Sequence, residues 1–152
     1  MSTPSVATQL DASTGQEAFQ RSVGGAAMMF GVPYPTGVTP LNASSGNKSN
    51  QAATASLPAV AGKINYVTGF EITSGGATTS LLAVATLTGL VGGQLDYVIG
   101  VLAGAVLLNQ PLVVSFNPPL QASGVNVAIT LTVPALGLGN TNAAATIRGF
   151  QM

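Results

Sequence analysis

Asp11, Glu17, Glu71 and Asp96 are the only acids in a chain that has no His, no Cys and no Trp. Without His or Cys, a Ser/His/Asp or Cys/His catalytic triad, a Cys/His zinc site and a redox CxxC pair cannot be built. Only carboxylates or hydroxyls are left as nucleophile or base. A glycosidase or a calcium site needs two or more carboxylates converging on one point. Glu71 and Asp96 fall on outward strand positions, which favours solvated surface charges or an ion pair with Lys63 or Arg148. The Gly-rich pieces GGAT, GLVGGQL and GLGLGNTN contain no GxxxxGK[ST] and precede no helix, so they are turns and not phosphate cradles. The sequence therefore presents no catalytic apparatus, no metal site and no cofactor site, and predicts a protein that is not an enzyme.

Partners are narrowed by the same inventory. The four basic residues, Arg21, Lys48, Lys63 and Arg148, are scattered, whereas nucleic acid binding needs clustered cations to release counterions. Charged residues make up 5% of the chain and cancel to zero, while Ser, Thr, Asn and Gln supply 45 positions. A surface solvated by neutral groups has little electrostatic repulsion to keep copies apart, so the chain is expected to associate, with itself or within a larger assembly. Hydrophobic residues reach 47%. Even so, the densest region, Leu81 to Leu108, is broken by Thr, Gly, Gln94 and Asp96, and its longest unbroken piece, Tyr97 to Leu108, falls short of the roughly 20 residues a spanning helix needs. The first residues, MSTPSVATQLDAST, lack the basic and apolar regions of a secretory signal, and the absence of Cys fits a reducing compartment.

The elements that must carry these residues change in texture along the chain. Residues 1–56 are rich in Ser, Thr, Ala, Asn, Gln, Gly and Pro, and are read as an extended N-terminal arm and linker. Within it, Gln16 to Val23 suggests one or two helical turns with Glu17 and Arg21 at i,i+4. The apolar cluster of Met28, Met29 and Phe30, followed by Val32 and Tyr34 between prolines, suggests a strand or an anchoring peptide, and these five residues are the candidate contacts with a partner. Asn42 to Ser56 reads as a polar, flexible loop.

Residues 57–152 switch to a period of two. Six strands are expected, around Ile64–Thr73, Leu81–Leu90, Leu95–Val101, Leu112–Phe116, Val125–Val133 and Ala143–Gln151, each separated by Gly, Pro or Asn signals. Val125, Val127, Ile129, Leu131 and Val133 alternate with polar or small residues as in a half-buried antiparallel strand. Tyr66, Phe70, Tyr97 and Phe116 are assigned to the core. This cadence predicts an all-β antiparallel β-sandwich.

Several pieces of this region resemble small virion proteins of tailed bacteriophages: Leu57-Pro58-Ala59, Gly62-Lys63-Ile64-Asn65-Tyr66, Thr68-Gly69-Phe70, Pro118-Pro119-Leu120 and Gly139-Asn140-Thr141-Asn142-Ala143-Ala144. The resemblance implies a jelly-roll-like sandwich used as a capsid decoration, or cement, protein on the outer surface of the head. Its partners would be the major capsid protein and other copies of itself, as a homotrimer, with no nucleic acid and no membrane. The other role the resemblance allows is a receptor- or glycan-binding head fibre or tail component.

Overall fold

Alternating apolar and polar residues, repeatedly interrupted by Gly and Pro, give strands and leave no stretch for a crossover helix. The computed structural model describes residues 8–10, 17–23, 26–29, 35, 37–104, 111–136 and 142–152, and every regular element among them is a β-strand. The chain divides into two compact units, Met1–Val38 and Thr39–Met152.

In the first unit, strands β1 (Thr8–Leu10), β2 (Glu17–Val23) and β3 (Ala26–Met29) form an antiparallel sheet in the order β1-β2-β3. The helical turns expected at Gln16 to Val23 are instead β2. An isolated helix of that length is marginal, and one i,i+4 ion pair adds only a few tenths of a kcal/mol. Strand pairing offers more: Val23 partners Ala26, and the only residues between them are Gly24 and Gly25, a pair suited to a two-residue hairpin turn.

The second unit holds β4 (Thr39–Ser44), β5 (Ala53–Leu57), β6 (Asn65–Gly75), β7 (Leu81–Leu90), β8 (Gly93–Val101), β9 (Leu112–Gln121), β10 (Ile129–Val133) and β11 (Asn142–Gln151). They make two four-stranded antiparallel sheets, β4-β11-β6-β9 and β5-β10-β7-β8, packed face to face as a sandwich. The first strand of this unit pairs with the last, the second with the seventh, the third with the sixth and the fourth with the fifth. These nested pairs are one long hairpin rolled across two sheets, which is the jelly-roll arrangement.

All six expected strands are present, and the sandwich also takes in two that the sequence reading assigned to the arm. Thr39–Ser44 pairs along β11, and Ala53–Leu57 pairs along β10, so the unit begins at Thr39 and not at Leu57. The composition of Asn42 to Ser56 hides a period of two in which Ala53, Ala55 and Leu57 point inward, fully or almost fully buried, and Thr54 and Ser56 alternate with them. Small side chains suit this margin because β5 touches both β4 and β11 from the opposite sheet. Alanines therefore serve as core residues here, on β5 and again at Ala143 and Ala145 of β11.

Towards β8 and β9 the filling is larger. Phe70 of β6 meets Tyr97 of β8 edge to face across the sheets, with ring centroids 4.8 Å apart, and lies 6.1 Å from Phe116 of β9. Ile129, Leu131 and Val133 are fully buried along the middle of the core, as their alternation predicts, although the strand starts at Ile129 and Val125 stays exposed. Tyr66 departs from the expectation. The pairing of β6 with β11 goes from Gly69 opposite Arg148 to Val67 opposite Gly149, and the extra residue, Thr68, reverses the alternation. Asn65 and Val67 consequently point inward, and Tyr66 lies on the other face, stacked on Phe150 at 5.0 Å. β9 likewise runs past Asn117-Pro118-Pro119, where the sequence predicts its end, and resumes pairing at Leu120 opposite Val67.

The loops at one end of the sandwich are tied by a buried amide. Asn65 Nδ2 donates to the carbonyl oxygens of Pro58 at 3.0 Å and Val127 at 2.8 Å, joining the segments that follow β5 and precede β10. Gln151 Nε2 donates to the same Pro58 oxygen at 3.1 Å. Beside them Gly149 has no room for a side chain, because a Cβ there would strike the Tyr66 carbonyl and the Leu57 side chain.

Candidate functional site

The polar residues singled out for chemistry are dispersed by the fold. Glu71 points outward from β6, where its Oε2 accepts a hydrogen bond from Arg148 Nη2 of β11 at 3.1 Å, with both side chains partly open to solvent. This is one of the two ion pairs the sequence suggested. Asp96 points outward from β8, on the opposite sheet, and accepts a hydrogen bond from Gln94. The two carboxylates thus occupy the outer faces of different sheets and share no cleft. Among the described residues no three His, Cys, Asp or Glu side chains gather as a metal site, and no helix is long and apolar enough to cross a membrane.

The hydroxyls have structural partners. Ser56 Oγ and Thr130 Oγ1 lie 2.8 Å apart, and Thr88 Oγ1 donates to the Thr130 carbonyl at 3.3 Å, so the three residues bind β5, β10 and β7 together across one face. The Tyr97 hydroxyl titrates above its usual range because burial disfavours the phenolate, so it remains a neutral group at the core margin.

What the sandwich does present is apolar surface. Outward positions of β7 and β8 carry Leu82, Val98 and Val84, which are 78%, 67% and 44% exposed. In the β7–β8 ladder Val84 partners Val98, Leu82 partners Gly100 and Thr86 partners Asp96, so the valines stand side by side with Leu82 on the next outward row. Leu102 continues the patch beyond β8 and lines a shallow recess with Ser80, Leu81, Leu82, Gly100 and Val101. A second cleft, of about 290 Å³, runs beside β8 between Val98, Ile99 and Gly100 on one side and Ile72, Ser74, Pro111 and Leu112 on the other. Among the described residues its lining is mostly aliphatic and backbone, with the Ser74 hydroxyl as the only polar side chain.

The sequence places Val98 outward but expects Thr, Ser, Asn, Ala and Gly to dominate the outward positions, and the patch as a whole is not anticipated. Its signal was present in Leu81-Leu82 and Tyr97-Val98-Ile99, where apolar residues occupy both parities of a strand that has one buried face. Of the five residues proposed as partner contacts, Met28 and Met29 lie in β3, in register with Arg21 and Gln20 of β2. Phe30, Val32 and Tyr34 lie outside the described residues.

Compared with known proteins, the chain matches no family model, and no curated protein matches it in sequence.

Proposed function

We propose that the protein is a structural virion component, a capsid decoration protein that sits on the outside of a tailed-phage head and stabilises the shell by bridging coat subunits. The observation that carries this reading is the apolar outer face of β7 and β8, where exposed Leu and Val residues lie side by side as they do at a protein interface. The near absence of charge fits a protein that works within an assembly, and the jelly roll is an architecture that viral capsid domains use among others. Fold alone does not decide function, so the weight rests on the surface and on the sequence resemblance.

The action is mechanical. Each copy placed across a seam adds contact free energy that has to be lost before two coat subunits separate, and repetition by symmetry turns many weak contacts into one multivalent clamp. The N-terminal unit, through Met28, Met29, Phe30, Val32 and Tyr34, would extend the contact over neighbouring coat subunits. The partners are the major capsid protein and other copies of this chain. Since the contacts are apolar and hydrogen-bonded, they are insensitive to screening and chelation.

The test is co-sedimentation of the purified protein with phage heads that lack it, followed by washes. Saturable binding that survives EDTA and about 0.3 M NaCl, a concentration at which exposed charge pairs are largely screened, is the expected result. No binding to heads, with binding instead to host cells or glycans, would replace this reading with a receptor-binding head fibre or tail component.

A further inference from the structure

A sheet edge that is left unguarded invites another strand, and the four edges of this sandwich are guarded unequally. β4 carries Pro40 within it, and β9 carries Pro118 and Pro119 together with a break in its pairing. β5 has only 5 residues and runs directly into Pro58. Prolines, breaks in pairing and short length are the devices by which natural sheets prevent edge-to-edge association. β8 has no proline, is not short, and breaks its pairing with β7 only at the turn, between Leu87 and Leu90. It is a strand of 9 residues, GQLDYVIGV, with no Pro, Lys or Arg, and its pairing with β7 is unbroken from Leu81 and Val101 to Leu87 and Leu95. At about 3.3 Å per residue it offers an edge roughly 30 Å long.

We propose that this protein pairs with a second copy of itself through the free edge of β8, the two strands running antiparallel about a two-fold axis at Val98. The backbone argues for a strand as occupant, since a row of alternating N–H and C=O groups is matched by another such row. The side chains argue that the strand is β8 again. With Val98 opposite its own copy, the outward row reads Val84, Val98, Val98, Val84 across the junction, so the two exposed patches join into one. In the same register Asp96, the only charge on the strand, falls opposite Gly100 of the second copy and meets no like charge. On the inner face Tyr97 meets Ile99, and Leu95, left partly exposed at the rim of the core, meets Val101. Among the described residues, no other strand pairs with this edge.

An isologous contact of this kind joins copies in pairs and differs from the threefold association implied by the resemblance. It stands independently of the capsid reading, since it is a property of the isolated protein.

The experiment is light scattering of the full chain over a dilution series, with Val98→Lys and Val84→Lys as disrupting variants and Thr73→Lys, exposed on the outer face of the other sheet, as control. Circular dichroism melts establish that each variant is folded. The expected result is a dimer, or an even-numbered oligomer, whose dissociation midpoint rises by about tenfold or more, a difference of about 1.4 kcal/mol, in both valine variants and not in the control. Amide exchange along β8 should slow as concentration rises. A monomer at micromolar concentration, an odd-numbered oligomer, or an association that the control weakens as much as the valine variants do would overturn the proposal. Loss of head binding by a protein that still forms the dimer would count against the capsid reading alone.

Discussion

The two outer faces of the sandwich are built from the same kind of strand and finished differently. On the β6–β11 face Glu71 is paired with Arg148, Thr68 Oγ1 donates to the Arg148 carbonyl at 3.2 Å, and the aromatic rings of Tyr66 and Phe150 cover one another. On the β7–β8 face Leu82, Val84 and Val98 lie open with one carboxylate nearby. On the first face these groups find partners within the chain, and its exposed apolar residue, Val113 of β9 opposite Glu71, stands without another exposed aliphatic beside it in the ladder. The second leaves apolar area in water at a cost of about 25 cal/mol per Å², which burial against another surface would recover. Both faces cover the same core, so the difference concerns what each meets outside and not how the domain folds.

That separation between core and outer face can be broken most severely at β10. Ile129→Asp is expected to abolish folding, because an unpaired carboxylate in the fully buried layer costs at least several kcal/mol against a total stability of about 5 to 15. Thr130→Asp, one residue along and facing the other way, should leave a folded domain that has lost its hydroxyl contact with Ser56. Far-ultraviolet circular dichroism and urea melts of the two variants separate the outcomes, and equal loss in both would mean that inward and outward positions are misassigned.

A smaller effect is expected at Asn65, which lies at the end of the sandwich and belongs to neither outer face. Asn65→Ala leaves the Val127 carbonyl without its side-chain donor and the Pro58 carbonyl with Gln151 alone, so the domain should lose about 1 to 2 kcal/mol, within the usual range for stranding a buried polar group. Urea denaturation measures this directly, and a change below a few tenths would show that the tie is dispensable.

The smallest effect belongs to the face that looks best satisfied. Glu71→Gln should cost less than about 1 kcal/mol, since exposed ion pairs gain little over hydration. The loss should shrink further in high salt. A cost of several kcal/mol, measured the same way, would mean that the β6–β11 face depends on its charges and would weaken the contrast with β7–β8.

How much of this was legible depended on whether the chemistry of a residue and its burial agreed. In β10 they agree: Ile129, Leu131 and Val133 are large and apolar, alternate with threonines, and are all in the core. In β5 they do not, because the inward residues are two alanines and one leucine amid Thr and Ser, and the segment resembles a linker. Tyr66 faces away from the core against expectation because a period of two carries no warning of the extra residue at Thr68. The ion pair of Glu71 was one of two choices in the sequence, and the register placing Thr146 opposite Glu71, with Arg148 two residues on, selected Arg148 over Lys63. The apolar face of β7–β8 was overlooked for the converse reason: strands rich in apolar residues on both sides look buried on both sides.

Composition and a period of two are local properties, and they were enough to establish that the protein is all-β, that it has neither a His/Cys catalytic set nor a Cys/His metal set, and that Ile129, Leu131 and Val133 fill the middle of its core. Tertiary structure decided the rest. Whether Ala53 and Ala55 are linker or core depends on how closely β5 approaches β11, and whether β8 is an interior strand or an open edge depends on strand order. Strand order in a jelly roll is set by pairings between residues more than a hundred positions apart, such as Asn42 with Arg148. No window of sequence contains both partners, so only the folded chain shows that its one long unguarded edge carries its most exposed apolar residues beside it.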